Sequence, residues 1–129
     1  MRLNQVTVAV RDVGDAIGFY QTLGLKMIVE SDRYARFLCP DGGSTFSIHA
    51  SDAPIGSSAV VYFECEDLDN TVRRLKSSGL VFESDPQDQP WLWREAYLRD
   101  PSGNRICLFH GGKNRIDPPW RIPESRDDK

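Results

Sequence analysis

The chain repeats itself, and the repeat limits the folds open to it more than any other feature. The stretches "VTVAVRDVGDAIGFYQTLGL" and "VYFECEDLDNTVRRLKSSGL" share one order: an alternating apolar strand, an aspartate, an amphipathic helix and a Gly-Leu pair. Asp12 stands 12 residues before Gly24 and Asp67 stands 12 before Gly79, so each helix has a carboxylate N-cap and a glycine end at the same separation. After each Gly-Leu come strand-like segments and a Pro-x-Gly turn, in "PDGGSTFSIH" and "PSGNRICLFH". The prolines of those turns, Pro40 and Pro101, are 61 apart while the caps are 55 apart, which puts the surplus of the second half in the loop "SDPQDQP". Each half therefore reads β-α-β-β-β, and the chain is expected to be an α+β domain of two four-stranded sheets.

Periodicity assigns faces to these elements. The first helix is expected to bury Val13, Ile17, Tyr20 and Phe19, the second Leu68, Val72 and Leu75, both at helical spacing. On the first strand Val6, Val8 and Val10 point one way and Gln5, Thr7 and Ala9 the other; at the start of the second half Val61 and Phe63 oppose Val60, Tyr62 and Glu64. The helices cover the apolar faces. The remaining faces are of mixed polarity, as the lining of a cavity between two curved sheets would be.

A chain of 129 residues, 40% hydrophobic and 27% charged, is one ordinary globular domain. Its apolar runs are too short to span a bilayer, and its start alternates like a strand instead of carrying a signal-peptide core, so a cytoplasmic location and no membrane partner are expected. A net charge of -3 with arginines scattered among carboxylates argues against nucleic acid. Cys39, Cys65 and Cys107 are widely spaced and form no C-x-x-C pair, which indicates reduced thiols. Phosphate-cradling loops, nicotinamide fingerprints and nucleophile elbows are all missing from the sequence.

The strand-helix stretch "VTVAVRDVGDAIGFYQTLGL", "FECEDLDNTVRRL" and the D-P-x-G-N turn in "REAYLRDPSGNRICLFH" together resemble the vicinal oxygen chelate superfamily, which includes glyoxalase I, bleomycin-resistance proteins and extradiol dioxygenases. The resemblance covers roughly residues 2 to 112. It implies two βαβββ modules pairing curved mixed sheets around a U-shaped cavity, commonly in a homodimer. Module one is expected at about 1–52 and module two at about 57–112, with 113–129 a C-terminal arm laid out extended and anchored by Trp120.

Metal-dependent members of that superfamily hold a divalent ion through the first and last strand of each module. By position the ligands would fall on Gln5, Ser47, Val60 and Cys107. Glutamine is acceptable there, but serine is a weak ligand, valine is none, and a thiolate is soft where these enzymes use hard ions. No cofactor is therefore expected; a displaced metal set would have to come from His49, Glu64, Glu95 and Cys107. His49 shares its strand face with Ser47 and is a candidate general base, as is Glu95. His110 falls on the opposite parity to Cys107 and is expected to face helices or solvent.

"PWLWREAYLRD" says most about the contents of the cavity. Counted back along a strand, Trp91, Trp93, Glu95 and Tyr97 share a parity, and the resemblance to fosfomycin-resistance members implies that Trp91, Glu95 and Tyr97 face the site. Flat aromatic walls with carboxylates suit a small aromatic or amphipathic molecule. The expected ligand-binding set is Gln5, Thr7, Ser47, His49, Tyr62, Glu64, Trp91, Trp93, Glu95, Tyr97 and Cys107. Two functions fit: metal-independent binding of the sequestration or resistance type, and a divergent glyoxalase-like lyase with a non-standard site. A degenerate module kept for dimerisation is a third.

Overall fold

In the computed structural model residues 1–53, 55 and 59–123 are described. Ten main elements follow in order: β1 (Gln5–Val10), α1 (Val13–Leu23), β2 (Lys26–Ser31), β3 (Tyr34–Leu38), β4 (Thr45–Ala50), β5 (Val60–Glu64), α2 (Leu68–Ser77), β6 (Gln87–Asp88), β7 (Arg94–Arg99) and β8 (Arg105–His110). They form two four-stranded sheets of the same topology, β1-β4-β3-β2 and β5-β8-β7-β6. In each, the first strand runs parallel to the fourth and the rest pair antiparallel. This is the α+β architecture the repeat predicts.

The caps explain where the helices begin and end. Asp12 accepts a hydrogen bond from the Asp15 amide at 2.8 Å, and Asp67 accepts one from the Asn70 amide at 3.3 Å. Gly24 and Gly79 both turn left-handed, at φ 118° and 98°, and the following leucine amides return to the carbonyls of Tyr20 and Leu75. α2 buries Leu68, Val72 and Leu75 as its periodicity requires. α1 differs from expectation: Ala16 and Tyr20 are buried, while Val13, Ile17 and Phe19 are only half-buried. Ala16 has no bulk beyond its Cβ, which lets this side of the helix lie closest to the sheet.

The two modules are joined through their helix-bearing faces. Phe46 on β4 meets Phe63 on β5 with ring centroids 5.8 Å apart, and Tyr20 touches Phe37 and Phe46. The Tyr20 hydroxyl donates to buried Asp100 at 2.8 Å, and the Asn104 side chain donates to the Ala9 carbonyl at 2.8 Å. Burial, then the neighbouring Asp100 carboxylate, holds the Tyr20 phenol far above its ordinary value, so it stays a donor. Asp100 also accepts the Ser102 and Asn104 amides, so the D-P-x-G-N turn is closed by the carboxylate that Tyr20 binds.

Two segments depart from the sequence reading. The loop "SDPQDQP" contains the short β6, paired with β7, so the second module keeps its four strands with one reduced to two residues. The arm does not start extended: Gly112–Arg115 is a turn of 3-10 helix, and Trp120 is exposed instead of anchored. The physical cause is Glu64, whose carboxylate collects the Gly111 and Gly112 amides and so winds the chain as it leaves β8.

Candidate functional site

Strand alternation and register place the candidate residues on the faces opposite the helices. In module one Ser47 lies between Thr7 on β1 and Arg36 on β3; two residues along, on the same face, His49 lies between Ala9 and Tyr34. In module two Cys107 lies between Tyr62 on β5 and Tyr97 on β7, and Phe109 lies between Glu64 and Glu95. Each module thus carries its own row of candidates.

Module one's row is held by hydroxyls. Thr7 Oγ1 and Ser47 Oγ are 2.5 Å apart, and the Arg36 Nε–H donates to the Tyr34 hydroxyl at 2.9 Å. Hydrogen bonding from Ser47, helped by Arg36 and opposed by burial, holds the Tyr34 phenol below its ordinary value. Gln5 Oε1 accepts from Thr45 at 2.6 Å. His49 is exposed and its Nδ1 lies 3.3 Å from the carbonyl of Ala50. The sequence reading missed Tyr34 and Arg36. Their alternation in "RYARFL" was the available signal, but only the β3–β4 register shows that they share Ser47's face.

Module two's row is aromatic around one buried carboxylate. Glu95, 3% exposed, accepts the Trp91 indole N–H at 2.8 Å on one oxygen and the Tyr97 hydroxyl at 3.0 Å on the other. Trp93 stacks on Phe109 at 4.5 Å, and Tyr62 meets both rings edge-on. The Arg105 guanidinium lies 4.1 Å above the Tyr97 ring. Burial, then the Glu95 hydrogen bond, keeps the Tyr97 phenol well above its usual range. Burial and the Glu95 charge push the Cys107 thiol up to about 12, so it is neutral at pH 7.

Trp91 reaches Glu95 by a route other than the expected one. β7 begins at Arg94, so the alternation counted back from Asp100 stops there. Trp91 and Trp93 belong to the β6–β7 turn, where the Gln89 amide bonds the Trp93 carbonyl at 2.8 Å and Leu92 is left-handed at φ 67°. The turn swings the Trp91 indole back over the strand. Glu64 is likewise bonded, but to the chain's own backbone. Burial would raise its carboxyl, yet the Gly111 and Gly112 amides, with Arg115 and His110 nearby, outweigh this and hold it below its ordinary value.

The structure does not gather the candidates into one cavity within one chain. Among the described residues no hydrogen bond, ion pair or ring contact links Gln5, Thr7, Ser47 or His49 to the module-two candidates. Gln5 and Tyr62 alone come together, in the wall of a hollow of about 200 Å³ where the ends of β1 and β5 approach. A second hollow of about 310 Å³, not foreseen, lies at the module seam between Cys39, Asp41, Glu64, Cys65 and Leu108. The physical reason is the helix-side packing of the modules, which leaves the two candidate rows outside the shared core.

Gln5, Ser47, Val60 and Cys107, the metal positions the sequence resemblance implies, differ in what they can offer a cation. Val60 offers no donor atom, Cys107 is held protonated, Ser47 Oγ is taken up by Thr7, and the Gln5 oxygen by Thr45. These four do not make a donor set for a divalent cation. The displaced set His49, Glu64, Glu95 and Cys107 is not drawn together, and no cluster of three or more metal-capable side chains exists among the described residues.

Comparison with known proteins gives a consistent result. The sequence model of the Glyoxalase/Bleomycin resistance protein/Dioxygenase superfamily matches residues 2–108. The uncharacterized protein YraH of Bacillus subtilis (strain 168) is 29% identical over 128 residues, covering 84% of this chain and 98% of that one. A crystal structure of a glyoxalase/bleomycin resistance protein/dioxygenase from Nocardioides superposes with TM-score 0.76 at 22% identity, over 95% of this chain and 90% of the other. A bleomycin-binding protein complexed with bleomycin superposes with TM-score 0.71 at 21% identity, over 87% and 99%.

Proposed function

We propose, from the premise that this chain belongs to the Glyoxalase/Bleomycin resistance protein/Dioxygenase superfamily, that it binds a small aromatic or amphipathic molecule against the face of module two, without a metal ion. The observation that carries this reading is Glu95, buried and oriented by Trp91 and Tyr97 beside the Trp93–Phe109 stack. Stacking and dispersion would hold a planar group there, and half-exposed Trp91 and Tyr62 offer the accessible surface. A bleomycin complex of a similarly folded protein supports small-molecule binding as a use of this architecture.

The second wall would come from another copy of the chain. The module-one row lies apart from the module-two row, so a homodimer placing one against the other completes a two-sided cleft. Three free thiols fit work in a reducing cytoplasm. A glyoxalase-like lyase is the weaker reading: Glu95 already accepts two hydrogen bonds, and among the described residues no carboxylate is bonded to His49 to orient its ring.

The test is metal analysis of the purified protein together with tryptophan fluorescence across a panel of aromatic compounds. Saturable quenching with less than stoichiometric metal is the expected result. Nickel, zinc, manganese or iron at one equivalent per chain would overturn the metal-free reading.

A further inference from the structure

Arginine burial separates one side chain from the rest. Among the described arginines only Arg36 and Arg94 are half-buried. Arg94 has two carboxylates, Asp69 at 2.8 Å and Asp88 at 3.0 Å. Among the described residues Arg36 has none; its side chain donates from Nε to the Tyr34 hydroxyl. A guanidinium drawn partly out of water without an anion is unusual, because desolvation of a charge is compensated by pairing.

The surroundings of Arg36 are arranged for an anion. Register places Ser47 beside it and Thr7 beyond, while Tyr34 lies along its own strand on the same face. All three are hydroxyls. The residues that pairing puts on this face of β1, β3 and β4 are Gln5, Thr7, Ala9, Tyr34, Arg36, Leu38, Thr45, Ser47 and His49, and none is acidic. The Nε–H is engaged by Tyr34, which fixes the guanidinium plane and leaves the terminal N–H groups in their fork. Such a fork matches the two oxygens of a carboxylate.

We infer that Arg36, with Tyr34, Ser47 and Thr7, forms a subsite for the carboxylate group of a small ligand. The subsite deepens the binding function proposed above and names an acid as the ligand's polar end. Arg36 supplies the charge and the paired donors, and the Thr7–Ser47–Tyr34 chain of hydroxyls holds the tyrosine that positions it.

The test uses the full chain with benzoate and its neutral isostere benzamide, followed by the Arg36 Nε–Hε NMR signal and by tryptophan fluorescence. Benzoate should shift the Arg36 signal and bind roughly tenfold more tightly than benzamide. Arg36→Gln should erase that preference, and Arg36→Lys, which keeps the charge and folds as a control, should restore only part of it. Equal binding of the two compounds, or an unshifted Arg36 signal with benzoate bound, would overturn the subsite and leave the aromatic wall standing. A shifted Arg36 signal with no quenching of tryptophan by any aromatic compound would sink the aromatic wall and support the subsite.

Discussion

The two modules have one topology and opposite surface chemistry. Matched by register, Thr7 corresponds to Tyr62, Ser47 to Cys107, Arg36 to Tyr97, Tyr34 to Glu95 and His49 to Phe109. Module one has a guanidinium among hydroxyls where module two has a buried carboxyl group among rings. The backbone ladders do not depend on these residues, since they lie on the face away from the shared core. The repeat therefore fixes the frame and leaves each outer row free to carry a different chemistry.

Truncation at one matched pair breaks or sharpens that contrast most. Phe109→Ala removes a buried ring from the Trp93–Tyr62 cluster and should cost about 3–5 kcal/mol in urea unfolding. A loss below about 1 kcal/mol would show that the module-two face is not packed as described. A smaller effect is expected from Glu64→Gln, about 1 kcal/mol at pH 7, because the amide keeps only one neutral acceptor for the Gly111 and Gly112 amides.

Glu64 also predicts a pH dependence. Its folded carboxyl lies below its ordinary value, so its stabilisation is fully present well above the unfolded value and is lost as pH falls through the lowered folded value. Wild type and Glu64→Gln should therefore converge in stability as acid protonates Glu64. Parallel curves down to pH 2 would contradict the assigned contacts. The smallest effect belongs to His49→Ala, at the place matching Phe109: an exposed ring with one backbone contact should change stability by less than about 0.5 kcal/mol.

The fold was legible in the sequence because its determinants are local. Asp12 and Asp67 cap their own helices, Gly24 and Gly79 take left-handed turns, and strand alternation assigns Thr7, Tyr62 and Cys107 to their faces. The site was legible only in part. Glu95 and Tyr97 were read correctly as neighbours because both lie within β7. Trp91 lies outside that strand, where parity has no meaning, and Arg36 needed a register between strands that no single segment encodes.

By itself the sequence determined the two βαβββ units, their caps and the polarity of each strand face, since hydrogen bonding and periodicity within about twenty residues decide these. Only the tertiary structure decided that the modules meet through their helix sides, that Glu64 binds the exit of β8, and that Arg36 stands half-buried with no acid bonded to it among the described residues. Those outcomes depend on groups far apart in the chain competing for the same partners and the same buried space. Local pattern carries no information about which of them wins.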